Sequence, residues 1–258
     1  MRDLFTRTVR PRVVDVAIEL TRLPAALSGL TIAQITDVHI GPTVGADFVR
    51  DVVAQVNGIG ADVIVITGDL VDGRAASHAS SAEPLADLRA RQGIFYVTGN
   101  HEYYWGVDAW LPIFRQLGLQ VMRNRRVAIE RGGASFDLAG IDDHESRRWR
   151  GHGPDLAGAL DGRDRSRAVV LLAHQPRQVR VAQRHGVDLQ LSGHTHGGQI
   201  WPWHGAVRIQ QGGLLAGHYR FGDTQLYVSR GTGYWGPPVR FGAPAEITRI
   251  ELRATRPG

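Results

Sequence analysis

Residues 61–69 read ADVIVITGD: a nearly continuous apolar run that stops at Gly68-Asp69. Such a run, without alternation, is what a strand buried on both faces requires. Working outward, TIAQITDVH (31–39) is a second strand with a polar end. Between the two, GADFVRDVVAQVNGIG (45–60) puts Phe48, Val49, Val52, Val53 and Val56 on one helical face before a glycine stop. Beyond it come a helix near 83–91, strand GIFYVTGN (93–100) and helix VDAWLPIFRQLG (107–118), closed by Gly118. This alternation predicts an α/β fold with a sheet that is at least partly parallel.

The flanks are consistent with that reading. VVDVAIEL (13–20) alternates like a strand, and RVAIERGGASFDLAG (126–140) reads as a hairpin turning at Gly132-Gly133. A polar, arginine-rich loop (142–166) precedes strand AVVLLAH (168–174), helix PRQVRVAQRHG (176–186) and strand VDLQLSGH (187–194). From 205 onward, short strands and glycine-rich turns predict a β-rich remainder. No repeat or linker divides residues 1–258, so one domain is expected, with residues 1–12 as a basic arm.

Composition narrows the chemistry. There is no cysteine, which excludes disulfides and thiolate ligands, so any metal must be held by His, Asp, Glu or Asn. All 30 positive residues are arginine, and the net charge of +5 suits an anionic partner only mildly. No stretch reaches the roughly 18 apolar residues of a membrane span. Asp15 and Glu19 interrupt the only candidate for a signal peptide, so a cytoplasmic protein is expected.

Polar residues follow buried strands at five places: TDVH (36–39), TGDLVD (67–72), TGNHE (98–102), AHQP (173–176) and SGHTH (192–196). In α/β sheets the carboxyl ends of strands form the ligand-binding rim, so five such clusters converge. Their side chains are oxygen and nitrogen donors. About seven ligands serve two metal ions when one carboxylate bridges them. His194 and His196 lie one residue apart between glycines, and an extended backbone would point both the same way.

D-x-H, G-D-x-x-D, G-N-H-E, a lone His and G-H-x-H, in this order, resemble the calcineurin-like metallophosphoesterase superfamily. The wording around them (VTGNHEYYWG, LAHQP, SGHTHGGQIWP, GTGYWGPPVR) is similar to a bacterial branch whose members often carry membrane helices ahead of the catalytic domain. This chain begins where those helices would end. The resemblance implies a four-layer α/β/β/α sandwich with two central mixed sheets. It implies one metal held by Asp37, His39 and His196, a second by Asn100, His174 and His194, and Asp69 bridging both. His101 corresponds to a non-ligand histidine that contacts the scissile phosphate and protonates the leaving oxygen. Mn, Fe or Zn would serve as the divalent pair, which would generate hydroxide from water at neutral pH. The substrate is then a phosphomonoester or phosphodiester, with a lipid-linked phosphate suggested by the membrane-bound relatives alone. A nuclease and a non-catalytic scaffold of the same fold are the rivals. No extended basic helix or nucleic-acid module favours the first, and the intact donor set argues against the second.

Other residues admit two readings. Asp72 either orients a ligand histidine or is an ordinary turn aspartate. Glu102 either orients His101 or, the favoured reading, caps the following helix. Asp142 and Asp143 either stand behind the ligands or, the favoured reading, form a solvated strand end. His78, His144, His152, His185, His204 and His218 are read as solvated. RRWR (147–150) offers arginines for phosphate and Trp149 for stacking or lipid, and Tyr103, Tyr104 and Trp105 are read as a cleft wall. Arg2, Arg7, Arg10 and Arg12 predict weak, salt-sensitive contact with anionic membranes, because Leu4, Phe5 and Val9 are too sparse for insertion.

Overall fold

The computed structural model describes residues 9–255. Most of the expected basic arm, Arg2 and Arg7 included, lies outside these residues; Arg12 already opens a strand. The first sheet is built from β1 (Arg12–Leu20), β2 (Leu30–Ile35), β3 (Val63–Thr67), β4 (Ile94–Val97) and β5 (Gln120–Val121). The second holds β6 (Arg125–Arg131), β7 (Ala134–Gly140), β8 (Val169–Leu172), β9 (Leu189–Ser192), β10 (Gly217–Phe221) and β11 (Thr224–Val228). A last strand, β12 (Glu246–Ala254), returns to the first sheet, giving the orders β1-β12-β2-β3-β4-β5 and β10-β11-β9-β8-β7-β6. Both sheets are mixed. β2 through β5 run parallel while β12 opposes β2, and β7, β8, β9 and β11 run parallel while β6 and β10 are antiparallel edges.

The apolar run at 63–66 shows why the layers stack. Val63 and Val65 enter a core shared between the sheets with Phe136, Leu138, Val170 and Leu191. Ile64 and Ile66 point the other way, against α1 (Ala46–Ile59), α2 (Ala75–Ala82) and α4 (Val107–Gln116), the last following the short α3 (Asn100–Tyr104). On the far side, Val169 and Leu171 pack against α5 (Leu156–Ala159) and α6 (Val179–Arg184). The result is the expected four-layer α/β/β/α sandwich. α1 buries the five side chains its spacing indicated and ends on left-handed Gly60.

Three expectations need correction. The helix placed near 83–91 lies at 75–82, followed by a 3-10 turn at Glu83–Asp87. AASHASSA has no large apolar side chain to reveal a period, and Pro84 directs the chain into the tighter turn. The loop 142–166 contains a 3-10 turn (His144–Arg148) and α5. The β-rich remainder is interrupted by α7 (His204–Gln210), which buries none of its side chains. Among the described residues no helix is long and apolar enough to cross a membrane.

Candidate metal centre

All five polar clusters follow the carboxyl ends of parallel strands, β2, β3 and β4 from one sheet and β8 and β9 from the other. The first two loops are laced together: Asp37 N–H donates to Gly68 O, His39 to Asp69 O, Ile40 to Leu70 O and Asp72 to Ile40 O. The N–H of His194, carried by the opposite sheet, donates to both oxygens of Asp37 at 3.0 Å.

The backbone here is strained. Seven described non-glycine residues have left-handed φ, and five are candidate donors: Asp37, His39, Asp69, His194 and His196. Each such conformation costs of order 1–3 kcal/mol and persists only where packing over-determines it. The extended geometry expected through 187–194 therefore stops at Ser192. His194 faces His174, with Nδ1 and Nε2 3.2 Å apart, while His196 faces His39, with the two Nε2 atoms 3.0 Å apart. Neighbouring glycines make room: a Cβ on Gly99 would overlap Asp69 Oδ1, and one on Gly193 would overlap Asp37 Oδ2.

Three donor groups result: His39, Asp69 and His101 lie within reach of one another, and two triads flank them. Asp37, His39 and His196 form one, with Asp37 Oδ1 3.4 Å from His196 Nε2. Asp69, His174 and His194 form the other, with Asp69 Oδ2 3.1 Å from His174 Nε2. The same Asp69 oxygen lies 4.0 Å from His39 Nε2, between the triads. Asn100 heads α3, and its buried Oδ1 has no hydrogen-bond partner. Facing ring nitrogens and an orphaned amide oxygen are the mark of donors arranged for cations.

Electrostatics agree. Burial pulls His39 down to about 4 and His194 down to about 3, and holds His196 well below its ordinary value. These rings are neutral at pH 7, with lone pairs available to a metal. Burial pushes Asp37 up to about 6, with Asp69 adding to it. Asp69 itself, though buried, is held well below the carboxylate range by His174, His101 and His39. His174 is raised despite its burial because Asp69 holds a proton on it. A cation bound there would compete with that proton.

His101 stands beside the triads with its Nε2 4.0 Å from Asp69 Oδ2 and its Nδ1 2.9 Å from Asp72 Oδ1. Burial opposes its protonation, but Asp69 and Asp72 outweigh burial and lift it to about 9. Asp72 thus orients His101, and Trp105 Nε1 donates to the same oxygen at 2.7 Å. Its approach to the ligand-candidate His39 is longer, 3.9 Å. Glu102 is fully buried and accepts from the N–H groups of Gly99, Asp69, Leu70 and Val71. It caps α3 and clamps the Asp69 loop, which is the structural role. The aromatic run divides: Tyr103 is core, whereas Tyr104 and Trp105 line the mouth near His101.

Other readings change. Asp142 and Asp143 are buried, not solvated: Asp142 takes a bidentate pair from Arg123, and Asp143 accepts from Glu145 N–H and Gln175. Of the six histidines read as solvated, only His218 is exposed; His152, for one, bonds Arg123 and stands edge-on to Tyr103. In RRWR the arginines are exposed while Trp149 packs against Tyr103 and Tyr104. Two residues escaped sequence reasoning. Arg240 donates to the carbonyls of His196, Arg230, Gly233 and Ala243, strapping 230–243 to the His196 turn. Trp235 stands 6.3 Å from His101, ring to ring. Their only signal was the stretch GTGYWGPPVR.

The model of the calcineurin-like phosphoesterase family matches residues 30–198. A transmembrane protein with metallophosphoesterase domain from Danio rerio is 40% identical over 252 residues, covering 94% of this chain and 57% of that protein. A Helicobacter pylori metallophosphoesterase is also 40% identical over 252 residues, with 97% of this chain and 66% of that one covered. The chain thus spans less than two-thirds of those relatives. A metallophosphoesterase of Aquifex aeolicus, 34% identical over 251 residues, is covered to 92%. Among solved structures, a dimetal phosphatase from Danio rerio superposes with a TM-score of 0.52 at 14% identity, over 85% of this chain and 91% of that one, a likeness of fold.

Proposed function

Because this chain belongs to the calcineurin-like phosphoesterase family, we propose that it is a metal-dependent hydrolase of phosphoesters with a two-cation centre. Asp37, His39 and His196 would hold one cation, Asn100, His174 and His194 the other, with Asp69 shared. The observation that carries this is the pair of facing imidazole couples, His39 with His196 and His174 with His194, on either side of one carboxylate. When bound, divalent cations neutralise phosphoryl oxygens and lower the pKa of water enough to make it a nucleophile at neutral pH.

The chain's own residues supply the rest. Asp72 holds His101 by Nδ1 and keeps it protonated, leaving Nε2 to contact the phosphate and donate a proton to the departing oxygen. Glu102 holds Asp69 and Asn100 in register through the backbone it clamps. On the His194 side, burial and then the charges of Arg177, Arg147 and Arg148 lower His144, so a basic cluster is available for an anionic substrate. We read the substrate as a lipid-linked phosphoester, a reading supported by the apolar mouth at Tyr104, Trp105 and Trp235.

The test is turnover after chelation and reconstitution with Mn, Fe or Zn, using p-nitrophenyl phosphate, bis(p-nitrophenyl) phosphate and lipid phosphoesters. Restored hydrolysis is expected. A protein that takes up cations yet cleaves no phosphoester would be a scaffold, and the proposal would fall.

A further inference from the structure

Nine large apolar side chains are exposed among the described residues, and all except Val13 fall at 104–105 beside His101 or in the segments 201–209 and 235–241, of which Trp235 reaches His101. Tyr104 and Trp105 flank His101 and Asp72. Trp201, Trp203, Ile209, Trp235, Val239 and Phe241 come from two loops that are zipped together: Trp201 N–H donates to Phe241 O, Phe241 N–H to Gln199 O, and the Gln199 amide holds both the N–H and the C=O of Trp235. Trp201 and Trp203 are 65% and 66% exposed, so neither belongs to a core. α7, which carries Ile209 (84% exposed), has no buried face at all. Soluble surfaces rarely concentrate apolar side chains in this way without a partner.

We propose that this rim is a membrane-docking surface that seats the mouth of the candidate metal centre on an anionic lipid bilayer. Charge and chemistry choose the occupant. Residues 199–222 and 231–245 contain no Asp or Glu but carry exposed Arg208 and Arg220, Arg240 being engaged with backbone carbonyls. Exposed Arg147, Arg148, Arg150 and Arg177 stand on the other flank, where Arg147, Arg148 and Arg177 act on His144 and Arg177 also acts on His194. Indoles have an apolar body and a polar N–H, which suits them to headgroup depth; the carboxylates at the mouth, Asp72 and Glu145, are bonded to Trp105 and Tyr104, and the exposed arginines around them suit anionic headgroups. A bilayer accepts rigid protrusions without needing a complementary shape. Docked, the mouth faces the headgroups, so its substrate is a phosphoester carried by a lipid; that consequence rests on the hydrolase reading, whereas the docking does not.

The purified protein is sedimented with phosphatidylcholine vesicles and with vesicles containing about one-third phosphatidylglycerol. Its tryptophan emission is read with brominated lipid in the same vesicles. Binding that prefers the anionic vesicles, with bromine quenching, is expected. Trp203→Ser combined with Ile209→Ser and Phe241→Ser lowers vesicle partitioning by more than about tenfold and leaves hydrolysis of soluble p-nitrophenyl phosphate unchanged. Absence of binding at low salt overturns the proposal, as does binding without quenching or binding that the triple variant retains, which would place the contact elsewhere. A dimer in solution that the triple variant dissociates, without vesicle binding, would reassign the rim to a second copy. Loss of soluble-ester hydrolysis in the unmodified protein strikes the hydrolase reading alone.

Discussion

Gly193→Ala adds one methyl group where the structure has no room for it. A Cβ there would overlap Asp37 Oδ2 and Thr36 Oγ1 and lie 2.8 Å from Thr36 Cγ2, closer than the 3.0 Å that real Cβ contacts respect. The Asp37 carboxylate cannot retreat freely, because it accepts from His194 N–H at 3.0 Å and from the Thr36 hydroxyl at 2.7 Å. Overpacking of this kind costs about 1–3 kcal/mol, and a buried hydrogen bond left unmade adds about 1–3 kcal/mol. At about 2–4 °C per kcal/mol for a chain of this size, the metal-free variant melts about 5–20 °C below the parent. The loaded proteins differ further. Cation at about 1,000 times its Kd stabilises the parent by about 4 kcal/mol, and a displaced Asp37 forfeits much of that. Calorimetry with and without chelator, beside elemental analysis, reads both effects: the parent's Tm falls on chelation, while the variant starts low and barely responds. Gly58→Ala is the control. It sits exposed in α1 with nothing within 4 Å of a new Cβ, so it gains about 0.4–1 kcal/mol and keeps its metal. If Gly193→Ala carries parental metal content and loses as much Tm on chelation, the packing argument is wrong.

Four other expectations follow from the same geometry. Asp69→Asn weakens both cations, whereas Asn100→Ala empties mainly one site; elemental analysis showing at most one equivalent in the reconstituted parent would refute the two-cation reading. His101→Gln lowers turnover by about 10²–10⁴-fold for poor leaving groups and less for p-nitrophenolate, which needs no proton; an equal loss on both leaves only an electrostatic role. Asp72→Asn removes the charge bonded to Nδ1, so in metal-free protein the His101 titration seen by NMR moves from about 9 down by about 1–3 units, while an unmoved titration would make Asp72 a bystander. Because the folded pKa of His101 lies above its ordinary 6.5, protonation stabilises the metal-free fold. The stability difference between parent and His101→Gln is therefore full below pH 6.5 and fades as pH rises through about 9, which pH-dependent melting curves check.

What the sequence determined by itself is the part governed by local chemistry. The run at 63–66 had to be a doubly buried strand, since nothing in it tolerates water, and the spacing of Phe48, Val49, Val52, Val53 and Val56 could bury one face only as a helix. The candidate donors were legible as O and N side chains after buried strands, because that depends on residue type and on glycines that open the backbone beside them. Tertiary structure decided what depends on distant partners. His194 and His196 turn to different neighbours because left-handed backbone, held by Asp37 157 residues away, replaces the extended geometry expected there. Asp142 and Asp143 are buried because Arg123 and Gln175 meet them from other segments, and no local pattern announces an ion pair across 19 residues or an amide contact across 32. The aromatic rim is joined from loops some 40 residues apart in the chain, the Gln199–Trp235 amide pairing spanning 36 positions. Strand and helix follow from which side chains avoid water; the direction a side chain faces, and the company it keeps, follow from which segments the folded core brings together.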